Sequence, residues 1–82
     1  MPTILLENGW RFFFYSNELN EPVHIHVEKA DKECKYWLKV EDFEIVEVVS
    51  YNLSSSDKRE VKKIIYEHFD YIVSEWKRYF KK

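Results

Sequence analysis

Short apolar or alternating segments fill the first fifty residues of the chain and predict β-strands. They lie at 3–7, 10–15, 23–29, 33–40 and 43–49, and the last of them also fits a helical stripe. Asn8-Gly9 separates the first two segments and predicts a hairpin turn, because both residues tolerate positive φ. Apolar side chains occupy both faces of segment 10–15, which predicts a central strand or one covered by a partner.

The spacing of the apolar residues changes after Ser54. At this point Ser54 with Asp57, or Asp57 with Glu60, forms a capping pair that predicts the start of a helix. A single helix from Asp57 to Phe80 would be about 36 Å long, enough to cross the whole sheet. Its apolar stripe has the 3.6-residue period and comprises Val61, Ile64, Ile65, Phe69, Ile72, Val73, Trp76 and Phe80.

These patterns predict an α+β fold: a mostly antiparallel sheet of about five short strands with one long C-terminal helix packed on one face. We expect a single domain over residues 1–82, with the sheet over roughly 2–50 and the helix over roughly 55–80. A chain of 82 residues has a thin core, and its aromatic content of 18% offsets this in part.

Composition indicates a cytoplasmic protein. Cys34 is the only cysteine, so a disulfide within the chain is excluded, and we interpret it as a small core residue. The N-terminal residues lack the basic segment of a signal peptide, and no apolar run approaches the length of a membrane span.

The net charge of −2 is unevenly distributed along the chain. Residues 1–57 hold five Lys/Arg and eleven Asp/Glu, whereas residues 58–82 hold eight and four. Mutual attraction of the two parts within the fold is the favoured interpretation. The alternative is a basic helix that contacts nucleic acid or an acidic partner.

The sharpest candidate chemistry is a pair of histidines, His24 and His26, two positions apart on a predicted strand. Side chains alternate across a strand, so both imidazoles share one face. If the apolar residues of strands 23–29 and 33–40 face the helix, the opposite face stays open to solvent. The open face then carries His24, His26, Glu28, Lys35 and Trp37.

The segment Glu21-Pro22-Val23-His24-Ile25-His26-Val27, together with Met1-Pro2-Thr3-Ile4 and a C-terminal helix that bears Trp76, resembles a prokaryotic family. This family is catalogued as a domain of unknown function, numbered 4160. Its usual pattern is Pro-Pro-His-x-His, often with another His shortly before the prolines; this chain has Val23 and Asn20 at those positions. The resemblance implies a neighbouring gene for a second small protein, in pairs that resemble toxin–antitoxin operons.

Two kinds of chemistry compete for the histidines. A divalent metal would use His24, His26 and Glu28, with a loop residue such as Glu18 or Glu21, whereas His68 is interpreted as a half-buried helix residue. An RNA-cleaving enzyme would use His24 and His26 as catalytic acid and base. Its phosphate contacts would come from Arg11, Lys35 or Lys39, and its further proton donor would be Tyr15.

The favoured interpretation is a non-enzymatic interaction module, one half of a toxin–antitoxin-like pair, with no cofactor. Its partner would be a small cognate protein encoded nearby or a second copy of the chain, with no membrane contact. The predicted contact residues are Glu18, Glu21, Pro22, His24, His26 and Trp37. A nucleic-acid-binding regulator that uses the basic helix is a further alternative.

Overall fold

A computed structural model describes residues 3–15 and 21–80 of the chain. Its five strands form one fully antiparallel sheet in the order β1-β2-β3-β4-β5, so each strand pairs with its neighbours in sequence. The strands are β1 Thr3–Glu7, β2 Trp10–Phe13, β3 His24–Lys29, β4 Lys32–Lys39 and β5 Glu44–Tyr51. The segment that also fitted a helical stripe is therefore a strand, and it extends two residues further than predicted.

The hairpin between β1 and β2 turns at Asn8-Gly9, as the sequence predicts. Asn8 has φ of 54° and Gly9 has φ of 84°, the left-handed conformations that a tight two-residue hairpin requires. A side chain at Gly9 would also meet Lys29, whose Cε lies 3.0 Å from an ideal Cβ. The only glycine of the chain is therefore where the backbone needs it.

The prediction of one long C-terminal helix is wrong. The structure has two shorter helices, α1 Ser55–Glu67 and α2 Phe69–Tyr79, separated by His68 with φ of −117° and ψ of 24°. The apolar stripe continues through the break without a change of period, so the hydrophobic pattern could not reveal it. Two contacts connect the start of α2 to β1. His68 Nε2 lies 3.0 Å from Glu7 Oε1, and Tyr71 Oη donates to the Ile4 carbonyl over 3.1 Å.

The start of α1 follows the first of the two predicted capping pairs. The Asp57 N–H donates to Ser54 Oγ and the Ser54 N–H donates to Asp57 Oδ2, each over 3.1 Å. This reciprocal pair satisfies two backbone donors that a helix start leaves without intrahelical partners.

Both helices are connected to the sheet through one continuous core on one side of it. Ile25, Val27, Tyr36 and Leu38 are buried there, as predicted. The helices contribute the buried residues Val61, Ile64, Ile65, Phe69, Ile72, Val73 and Trp76. Neither helix of the described chain is long and apolar enough to cross a membrane.

Candidate interaction surface

The side of the sheet away from α1 and α2 is called the open face here. It is defined by residues that pair across the strands and alternate with core residues. Arg11 lies opposite Glu28, Phe13 opposite His26, and His26 opposite Lys35. The face continues through Lys35 opposite Val49 and Trp37 opposite Val46, so it extends from β2 to β5.

An aromatic cluster forms the β2–β3 part of the open face. Phe13 is buried even though no helix covers this side, because its neighbours enclose it. The Arg11 guanidinium lies 4.4 Å from the ring centroid, His26 stacks at 5.5 Å and Tyr15 contacts it edge-on at 5.2 Å. Tyr15 also packs against His26 at 4.5 Å. His26 is thus half-buried and held in a fixed position on the surface.

His24 departs from the expected open face, because its side chain is fully buried with 0% exposure. Its ring lies 5.1 Å from His26 and 4.8 Å from Trp76 of α2, so it joins the aromatic cluster to the helical layer. Its Nδ1–H donates to the Pro22 carbonyl over 2.8 Å. The residue of β2 that would pair with His24 lies two positions beyond the end of that strand, so β2 does not flank His24. Trp76 packs against His24 at this end of the sheet.

Two ion pairs neutralise the charged residues of the open face. Arg11 bonds Glu28 over 2.8 Å, and Lys35 bonds Glu21 over 2.8 Å. Glu21 and Pro22 are both exposed beside the histidine strand, whereas Glu18 lies outside the described residues. Two of the three cations proposed for phosphate binding are therefore already paired with carboxylates, and the third, Lys39, lies opposite Glu44 in the strand register.

The β4–β5 part of the open face is an exposed apolar strip consisting of Trp37, Val46, Val49 and Tyr51. Their exposed fractions are 37%, 37%, 53% and 60%. A hollow of about 180 Å³, lined in part by Tyr15, His26, Lys35 and Val49, separates the strip from the aromatic cluster. Sequence reasoning identified Trp37 alone, because it did not establish which faces of the last strand would remain uncovered.

The residues whose side chains lie close enough together to hold a metal ion are at a different place from the predicted one. Among the described residues, the ligand atoms of Glu7, Glu67 and His68 lie within 4.8 Å of one another. No comparable set includes His24, His26 and Glu28 in that part of the chain. Glu7 and Glu67 line a groove of about 490 Å³ between the first hairpin and α1. This cluster joins the ends of β1 and α1, two elements that the sequence pattern did not bring together.

The basic helix is partly neutralised within the fold. Lys58 of α1 lies 3.5 Å from Glu47 of β5, and Asp57 at the helix start is bonded by Lys32 over 2.9 Å. Arg78 bonds Glu75 within α2 over 2.6 Å. Of these contacts, only the Lys58–Glu47 pair joins the basic helix to the acidic sheet, as the favoured interpretation of the charge asymmetry expects. The Lys32–Asp57 pair lies within residues 1–57, and the Arg78–Glu75 pair lies within α2.

Cys34 lies in the core, as predicted, and its thiol is a weak nucleophile. Burial, with a smaller contribution from the Glu47 carboxylate, raises the pKa of the Cys34 thiol to about 12. The thiolate is the reactive form of cysteine, so a thiol with this pKa is a poor nucleophile.

A protein-family model matches most of the chain. The family model described as Domain of unknown function (DUF4160) matches residues 9–77, which include the whole sheet after β1, all of α1 and most of α2. No curated protein and no solved structure was found to be similar to the chain.

Proposed function

Because the chain belongs to the DUF4160 family, we propose that it is a protein-interaction module, one half of a toxin–antitoxin-like pair, that binds a small cognate protein through its open face. The observation that carries this proposal is the exposed apolar strip beside a rigid aromatic cluster. Monomeric proteins seldom leave contiguous apolar side chains exposed without a functional reason.

The composition of the open face favours a protein partner. Tryptophan, tyrosine and arginine contribute most to protein interfaces when they surround a pocket that excludes water. Here Tyr15 lines the 180 Å³ hollow, which is large enough for a single side chain of a partner, and Trp37 is exposed on the same face of the sheet. Tyr15 and His26 also pack against each other, so little conformational freedom remains to be lost on binding.

The same geometry gives less support to the other candidate functions. A two-histidine catalyst requires both imidazoles to reach the substrate, and His24 is fully buried against Trp76. Binding of nucleic acid requires cations that are available to phosphates, and Arg11 and Lys35 are each engaged by a carboxylate. A partner with an apolar side chain for the hollow fits the surface better.

The test is a binding titration between the purified chain and the small protein encoded beside it. Trp37→Ser removes the largest exposed ring of the strip, and we expect it to weaken binding at least ~10-fold, the effect of a typical interface hot spot. The matched control is Tyr79→Ser, which removes an aromatic ring of 42% exposure from α2, on the other side of the sheet. Equal affinity of Trp37→Ser and the native chain would refute the proposal.

A further inference from the structure

β5 is an unusually apolar edge strand. It is eight residues long, lies at the end of the strand order, and pairs with β4 on one side only within the described structure. Val46, Val48, Val49 and Tyr51 are all exposed. Edge strands of this length usually carry charges, prolines or bulges that hinder pairing with another chain; β5 has two glutamates and one bulge, and it has no proline.

A bulge gives β5 an internal symmetry. Lys35 pairs with Val49 but Tyr36 pairs with Glu47, so Val48 is the extra residue at the centre of the strand. Alternation restarts after it. On the core side of β5 lie Ile45, Glu47 and Ser50, which pair with Leu38, Tyr36 and Cys34 of β4. On the open face lie Glu44, Val46, Val49 and Tyr51, which pair with Lys39, Trp37, Lys35 and Glu33. For six of the eight residues the sequence of faces therefore reads the same from either end of β5, with Glu47 and the bulge residue Val48 at the centre.

We propose that β5 pairs in antiparallel fashion with β5 of a second copy of this chain, about a two-fold axis between Glu47 and Val48. In this register the six outer residues each meet a residue from the same side of the sheet, and Glu47 meets the bulge residue Val48 at the axis. The pairs are Glu44 with Tyr51, Ile45 with Ser50, Val46 with Val49, and Glu47 with Val48. The result is a continuous ten-stranded sheet with both open faces on the same side.

The register is specific because, in neighbouring registers, paired residues would come from opposite sides of the sheet. A shift of one residue places Ile45, which packs against the core, opposite Val49 or Tyr51 of the open face. Such a slip would bury polar positions and expose apolar ones. The symmetric register also puts no two like charges opposite each other, and Glu47 next to the axis has Lys58 at 3.5 Å in its own chain.

This self-association uses the backbone edge of β5 and leaves the open face uncovered. It therefore goes beyond the proposed function and does not depend on it: a chain that binds no cognate protein can still form the dimer. A second copy would also satisfy the backbone hydrogen-bonding groups that the free edge of β5 presents to solvent.

Site-specific disulfides test the register. Val46→Cys and Val49→Cys are made separately, with a longer affinity tag on one of them so that mixed and like-with-like products differ in mass. Directly paired residues of antiparallel strands have Cα atoms about 4.5–5.5 Å apart, within the range of a disulfide. Two copies of Val46 are offset by three residues, about 10 Å along the strand, which is too far.

We expect mild oxidation to link Val46→Cys to Val49→Cys in the mixed sample at least ~10-fold faster than either variant alone. The native chain is the control for Cys34, which is buried and should remain unlinked. Sedimentation of the native chain at micromolar concentration should give the mass of a dimer. Equal linkage in the mixed and separate samples, or a monomer mass for the native chain, would overturn the proposal.

Discussion

Substitution of His24 by alanine should destabilise the fold far more than the same change at His26. The His24 ring is fully buried, lies 4.8 Å from Trp76, and donates from Nδ1 to the Pro22 carbonyl. Truncation of large buried side chains costs about 2–5 kcal/mol, and loss of a hydrogen bond that leaves a buried acceptor adds about 1 kcal/mol. For a ring of this size we expect about 3 kcal/mol.

This loss is a large share of the total stability. A domain of this length has about 4–12 kcal/mol in all, and each kcal/mol shifts the melting temperature of a small domain by about 4–8 °C. His24→Ala should therefore lower the melting temperature by about 12–24 °C. His26 is half-buried on the open face, so His26→Ala should cost about 1 kcal/mol or less.

The assay is urea unfolding followed by tryptophan fluorescence, because Trp76 is in contact with His24 in the folded protein. At an m-value of about 1–1.5 kcal/mol/M, the expected difference moves the midpoint for His24→Ala by about 2–3 M. His26→Ala is the matched control from the same strand. If the two variants unfold at the same urea concentration, the assignment of His24 to the core and His26 to the surface is refuted.

Three further predictions concern groups outside the histidine strand. The thiol pKa of about 12 at Cys34 should make alkylation of the native protein at pH 8 at least ~10²-fold slower than in urea, and similar rates in the two conditions would contradict its burial. The hydrogen bond from Lys32 lowers the pKa of Asp57, with help from the Ser54 N–H, so its contribution to stability is present above pH ~4 and is lost as the pH falls below that value. Asp57→Asn should therefore be less stable than the native chain at pH 7, and the two urea midpoints should converge as the pH falls through the lowered pKa of Asp57; a gap that stays constant with pH would contradict the ion pair. Gly9→Ala should cost about 1–2 kcal/mol because of its positive φ, measured as a fall in melting temperature, whereas unchanged melting would show that the turn tolerates a side chain.

The sheet was largely predictable because its signals are local. Asn8-Gly9 marks the first hairpin, alternation marks β3 and β4, and Ser54 with Asp57 marks the start of α1. Each of these depends on residues within a few positions of one another, so the sequence alone determines them.

The errors concern contacts between distant parts of the chain. The helix break at His68 accompanies contacts from His68 and Tyr71 to β1, more than sixty residues earlier. The burial of His24 depends on Trp76, which lies on a helix that the strand pattern could not position. The cluster of Glu7, Glu67 and His68 was missed for the same reason, because it exists only once α1 ends against β1.

The central claim, that the open face binds a cognate protein, is tested most directly by fluorine NMR of the chain labelled with 5-fluorotryptophan. The three tryptophans are differently placed: Trp10 and Trp76 are buried, and Trp37 is exposed in the apolar strip. When the small protein encoded beside the chain is added, we predict that the Trp37 resonance shifts while the Trp10 and Trp76 resonances stay in place. Binding that leaves the Trp37 resonance unchanged would contradict the account.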